Sequence, residues 1–231
     1  MQNDFYIGGV GSGEFGVRLL SDYTVGGTPL TRSRQKLPGV QGWLPLATEY
    51  GLRSIKLPVH LAAKSPRAAA EQKSRLDAAF AAEPVELYLP NGFYYTASLE
   101  SAGEAQELSD DGCLLECTYT LLGYAHDPLE TVTIPAGGGT LYARGTAPEM
   151  ACRLTCTVGA AAAIYTMAGV TWWNVAAGDV LVLDDLERRV LRGGGNDFAN
   201  TNLITWPKLT PGENTLTAPD AVTVEYYPIW L

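Results

Sequence analysis

The chain predicts a mainly β protein: an α+β N-terminal half with one helix on an antiparallel sheet, followed by an all-β sandwich. Three observations predict it. Alternating apolar and polar runs, separated by turn residues, recur along most of the 231 residues. Only one stretch, just after residue 65, has helical period and propensity together. From residue 150 onward, short strand-like runs follow one another at the regular spacing of a sandwich or jelly roll.

The first element is announced by "GSGEFG", Gly11 to Gly16, with the spacing G-x-G-x-x-G. A dinucleotide loop of that spacing opens a helix onto a pyrophosphate. Here Phe15, Val17 and Leu19 alternate with Gly16, Arg18 and Leu20, and Gly26-Gly27 stops the pattern, so the glycines read as a turn into a short strand. No Walker G-K-[ST] or kinase H-R-D or D-F-G follows.

"GGTPLTRSRQKLPGVQGWLP" reads as a long basic loop punctuated by Gly and Pro. "RSIKLPVHL" is a strand with Ile55, Leu57, Val59 and Leu61 on one face, and Pro58 predicts an edge position or a bulge. Ser65 caps the helix and Pro66 fits its first turn; Ala69, Leu76 and Phe80 make its apolar stripe, and Glu83-Pro84 ends it. "VELYLPNGFYYTASL" is a hairpin about Asn91-Gly92, and "EAQELSDDGCLLECTYTLLG" a second one through Asp110, Asp111 and Gly112. "HDPLETVTIPAGGGT" reads as a junction, which sets domains at 1–128 and 129–231. "MACRLTCTV", "AAAIYTMAG", "VTWWNV", "DVLVLDD", "RRVLRGG", "TNLITWPKL", "NTLTA" and "VTVEYYPIWL" are the strands beyond it.

Composition excludes several classes of function. A net charge of −9 argues against a nucleic-acid backbone as principal partner, and no run of 18 apolar residues predicts a membrane span. "MQNDFYIGG" lacks the basic start and apolar core of a secretory signal. The charge is segregated: residues 18–75 carry ten Lys/Arg against three Asp/Glu, whereas residues 76–130 carry eleven Asp/Glu and no Lys or Arg. Either the two regions neutralise each other within one chain, or each protomer presents a basic and an acidic flank that meet head to tail.

No catalytic, cofactor or metal constellation emerges, and no enzyme activity is expected. His60 and His126 have no nucleophile or carboxylate neighbour in a known motif, and Asp184, Asp185 and Glu187 fall where a turn is expected. The C-x3-C pairs Cys113/Cys117 and Cys152/Cys156 lie on strands, where i and i+4 are roughly 13 Å apart, too far for a shared ion or a bridge. Adjacent strand residues face opposite ways, so one of Trp172 and Trp173 belongs to the core and the other is free to stack on a sugar or to enter a protein interface. Trp43 lies in the basic loop with Arg32, Arg34 and Lys36 and reads as an interface residue; if the protein oligomerises, this loop is expected to contact neighbouring subunits.

Taken in order, "GVGSGEFGVRLL", "LPGVQGWLP", "LRSIKLPVHL", the helix and "YYTASLE", then "GTAPEMACRLTCTV", "GDVLVLDDLERRVLRGG", "WPKLTPGENTLT" and "VTVEYYPIWL", resemble the distal tail proteins of long-tailed phages with non-contractile tails, also carried by prophages. The "LTPGENT" segment weighs most. The resemblance implies a virion structural protein: a six-fold ring at the tail tip, formed by the N-terminal domains, with galectin-like β-sandwiches facing outward. Such a ring joins the tail tube protein to the tip hub, with its tail-associated lysin-like protein, and anchors a receptor-binding protein. It implies a location at the virion tail tip, after assembly in the bacterial cytoplasm. The alternative is a carbohydrate-binding module that recognises host-surface glycans through Trp172 or Trp173. Some members carry carbohydrate-binding insertions, for which this chain has no room.

Overall fold

The computed structural model describes residues 4–39 and 41–231. Strands hold 51% of the residues and helix 10%, which makes the protein mainly β, as its sequence predicts. The chain divides into two compact units, one ending at His126 and the other spanning Asp127–Trp230, with Leu231 counted in the first.

The first unit contains β1 (Tyr6–Ile7), β2 (Val10–Gly11), β3 (Val17–Leu19), β4 (Thr24–Val25), β5 (Leu30–Gln35), β6 (Leu44–Tyr50), β7 (Arg53–Ala62), α1 (Pro66–Phe80), β8 (Val85–Tyr88), β9 (Tyr94–Ala102), β10 (Gln106–Glu107) and β11 (Leu114–His126). Its main sheet runs β2-β1-β8-β9-β11-β7-β3, with β10 on β11 and β4 on β7, and the pairs are antiparallel. Alternation decides which face is buried. Leu57, Val59, Leu61, Leu87, Tyr95, Tyr119 and Leu121 are all inaccessible or nearly so, and α1 contributes Ala69, Leu76 and Phe80 to the same core. Phe80 stands between Phe5 and Tyr119, with ring centroids 6.3 and 4.4 Å away.

Local signals explain the ends of these elements. The Ser65 hydroxyl accepts from Ala68 N at 3.2 Å, and Pro66 occupies the first turn, where no amide hydrogen is missed. At the β8–β9 turn, Asn91 Oδ1 accepts from Phe93 N, and Gly92 adopts φ 86°. Ser12–Phe15 forms one 3-10 turn that Gly16 terminates at φ 67°; a Cβ there would meet Gln72 Nε2 at 2.8 Å. The "GSGEFG" glycines therefore serve a tight turn pressed against the helix, followed by the expected strand.

Two sequence expectations are corrected here. Pro58 lies neither on an edge nor at a bulge: β7 has β11 on one side and β3 and β4 on the other. It falls between the last residue paired by β3, Val59, and the first paired by β4, Lys56; its carbonyl accepts from Leu20 N at 2.9 Å on that side. The nitrogen of a strand residue faces the same way as its carbonyl, so the missing donor costs no ladder bond. Second, the basic "loop" is a hairpin: β5 and β6 pair antiparallel from Leu30↔Tyr50 to Gln35↔Leu44, with a register shift after Ser33.

The second unit contains β12 (Glu130–Ile134), β13 (Gly139–Ala143), β14 (Met150–Thr157), β15 (Ala162–Met167), β16 (Val170–Val175), β17 (Val180–Asp184), β18 (Arg189–Arg192), β19 (Gly195–Asn196), β20 (Lys208–Leu209), β21 (Gly212–Leu216) and β22 (Val222–Tyr226). Its sheet runs β12-β22-β14-β17-β18-β19, with β20 on the start of β14; β13 pairs with β21, and β15 with β16. Met150, Cys152, Leu154 and Cys156 on β14 face the core with Leu181, Leu183, Val222, Val224 and Tyr226. The expected strand "TNLITWPKL" is mostly irregular: Thr201 makes an isolated bridge to Trp172, and Lys208–Leu209 pairs as β20.

Candidate protein-interaction site

The β5–β6 hairpin is held at its root and bare beyond it. Gly51 N donates to Pro29 O at 2.9 Å, Gly26 N to Ser54 O at 2.8 Å, and Arg53 Nε to Thr28 Oγ1 at 2.9 Å. Past this anchor the two strands pair only with each other, and every residue of β5 is exposed. Leu30, Trp43, Leu44, Leu46 and Tyr50 are exposed too, Trp43 to 62%. An apolar side chain left in water forgoes roughly 1.5–3 kcal/mol of burial, and this arm concentrates five of them in one exposed cluster.

Register sorts the arm's side chains. Leu30, Arg32 and Arg34 share one face of β5, opposite Tyr50 and Thr48 of β6. Arg32, Arg34, Trp43, Thr48 and Tyr50 line one shallow groove of about 490 Å³. Lys36 lies at the adjacent tip, beside Leu37, Pro38, Gly39 and Gln41. Three of the four residues singled out in this region thus converge on one groove. Thr48 and Tyr50 were missed, because "LATEY" signals a strand only once its partner is known. None of Arg32, Arg34 and Lys36 makes an ion pair among the described residues.

The two tryptophans of β16 separate as alternation requires. Trp172 is completely buried, which removes it as a glycan or interface contact. Trp173 is 41% exposed beside Ile164, its cross-strand neighbour, which is exposed to 66%. Arg192 steadies this strand by donating to the Trp173 and Asn174 carbonyls at 2.9 and 3.1 Å.

The other candidate groups are internally occupied. Asp184 is buried and takes Arg189 at 3.0 Å and the Arg153 guanidinium at 3.1 Å; Asp185, also buried, takes Lys208 and Arg188. His60 meets Glu116 at 3.1 Å; His126 ends β11, buried, with Thr96 Oγ1 at 3.1 Å from its Nε2. All four cysteines are free thiols. Burial pushes the Cys152 thiol up to about 12 and raises Cys117 and Cys156, which keeps them protonated and poor nucleophiles. Among the described residues no group of three or more His, Cys, Asp or Glu is placed to hold a metal, and no helix is long and apolar enough to cross a membrane.

No family profile and no curated protein matches the chain in sequence. Solved structures do match it in fold. The crystal structure of the phage SPP1 Dit (gp 19.1) protein, described as a paradigm of the hub adsorption apparatus in phages infecting Gram-positive bacteria, superposes with a TM-score of 0.78 at 14% identity, covering 99% of each chain. The phage p2 baseplate in its activated conformation with Ca gives a TM-score of 0.58 at 10% identity, over 99% of this chain and 98% of that one. The same baseplate with Sr gives 0.55 at 10% identity, over 97% of each. At these identities the likeness is one of fold, and the fold is that of phage distal-tail hub and baseplate proteins, spanning this chain almost end to end.

Proposed function

We propose that this protein is a structural component of a phage or prophage tail, forming a six-subunit ring at the distal end of a non-contractile tail. The ring joins the tail tube to the tip hub and the host-adsorption apparatus, including the receptor-binding protein. The observation that carries this reading is the β5–β6 hairpin: a rooted arm with unpaired cations and exposed aromatics, on a chain whose whole length has the distal-tail fold. Its chemistry is that of an interface anchor, where Arg, Trp and Tyr concentrate the binding energy. The domains 1–128 and 129–231 serve ring formation and the outward face respectively.

Light scattering followed by negative-stain imaging tests this. The purified chain is expected as a six-subunit ring whose mass falls in high salt, and falls to that of a protomer in the Arg32→Glu/Arg34→Glu/Lys36→Glu variant. A closed oligomer of another symmetry, or one indifferent to the variant, overturns the proposal. The alternative, a module that binds host glycans, now rests on Trp173 alone, since its indole is the accessible one. Glycan binding that Trp173→Ala abolishes supports that alternative, and no glycan binding by the wild-type chain at millimolar ligand removes it.

A further inference from the structure

On the face of the first unit's sheet opposite α1, three tyrosines stand in a row across adjacent strands. Tyr6 of β1 is in register with Tyr88 of β8, which is in register with Tyr94 of β9. Their ring centroids are 6.0 and 4.8 Å apart, tilted by 59° and 49°. With Glu86 and Gly9 they line a cleft of about 440 Å³. Gly9 has φ 80° and nothing within 4 Å of where a Cβ would stand, so the cleft is open at that wall. Glu86 is exposed and has no ion pair among the described residues; the three hydroxyls have no hydrogen bond there either.

Aromatic faces beside a free carboxylate are the chemistry that holds a guanidinium or ammonium group. The ring quadrupoles attract the cation, and the carboxylate adds direct charge. The cleft also takes Glu86, Tyr88 and Tyr94 from residues 76–130, a stretch with eleven acids, nine of them in the first unit, and no Lys or Arg. The same chain carries the complementary partner: Arg32, Arg34 and Lys36, unpaired on an exposed arm.

Resting on the assembly reading above, we infer that the Tyr6–Glu86–Tyr88–Tyr94 cleft is a cation-receiving site, and that its occupant is a basic side chain of the β5–β6 hairpin of a second copy of this chain. This gives the segregated charge a direction: each copy donates its basic arm and receives one in its acidic aromatic cleft. A heterologous contact of this kind repeats around a closed ring.

Sedimentation velocity of the full chain across concentration, with charge-swap variants, tests the pairing. Glu86→Lys and Arg32→Glu/Arg34→Glu/Lys36→Glu are each expected to weaken self-association by about tenfold or more, and their combination to recover much of the loss. Equal thermal unfolding of all variants shows that the fold is intact. If Glu86→Lys associates like the wild type while the hairpin variant does not, the cleft proposal falls and the hairpin keeps its role. A wild-type chain that stays monomeric at every concentration overturns a second copy as occupant. Independently, fluorotyrosine-labelled protein titrated with N-acetylargininamide is expected to shift at Tyr6, Tyr88 and Tyr94, and Glu86→Gln to weaken the response; silence at those three residues overturns the cation chemistry itself.

Discussion

Tyr119 on β11 donates its hydroxyl to Asp77 Oδ1 on α1 at 2.6 Å, and so ties the one helix to the centre of the first sheet. The other Asp77 oxygen takes Lys73 Nζ at 2.8 Å, one turn earlier in the helix. The ring below that hydroxyl packs on Phe80, so a single side chain contributes both apolar contact and a polar link between helix and sheet.

Tyr119→Phe keeps the ring and deletes the link. The loss is expected to be about 1–2 kcal/mol, held down because Asp77 retains Lys73 and access to water. Denaturant unfolding with an unchanged slope checks it.

Burial raises the phenols of Tyr95, Tyr119, Tyr165 and Tyr226 above the ordinary 10.0, with the Asp77, Asp220 and Glu130 carboxylates raising the last three further. Below pH 10 both states hold these protons. Above it the unfolded chain releases them while the native chain does not, so stability falls as pH rises from about 10. Absorbance at 295 nm should show exposed tyrosines ionising first and these four only with cooperative unfolding.

Asp184 sits fully buried between two guanidiniums, Arg189 and Arg153. Asp184→Asn removes the buried carboxylate that both share, while Glu187 still pairs with each and Glu225 with Arg153, so the expected cost is about 1–3 kcal/mol in the second unit. Arg189, whose side chain is 46% exposed, is replaceable by Lys at far smaller cost. Thermal unfolding of the two variants should separate them clearly.

Native thiol titration should find one fast cysteine. All four thiols are raised, Cys113 by partial desolvation and the nearby Asp111 carboxylate, but Cys113 alone is partly exposed, whereas Cys117, Cys152 and Cys156 are buried out of a reagent's reach. Cys113→Ser should abolish the fast phase; rapid labelling of a second thiol would show that a core strand opens.

Charge reversal on the hairpin should leave the monomer as stable as before, within about 0.5 kcal/mol, because Arg32, Arg34 and Lys36 contact no core group. Trp172→Ala, by contrast, empties a buried site and should cost about 3–5 kcal/mol. Calorimetry on both variants makes the comparison.

Where one face of an element meets the core, the sequence by itself determined it. Ser65, Pro66, Ala69, Leu76 and Phe80 specify a capped amphipathic helix, Asn91-Gly92 specifies a hairpin, and β14 alternates cleanly, because burial imposes a period that residue types must follow. The β5–β6 arm escaped detection as a hairpin because both its faces are wet, and no burial pattern is written where nothing is buried. Its cluster of basic and aromatic residues was still legible from their chemistry. Only the tertiary structure decided what strand pairing over long separations brings together: Asp184 with Arg153, Pro58 with the gap between β3 and β4, and Tyr6 with Tyr88 and Tyr94 around Glu86. Local propensity extends over a few residues, whereas sheet register joins residues tens of positions apart, so these sites exist only once the chain has folded.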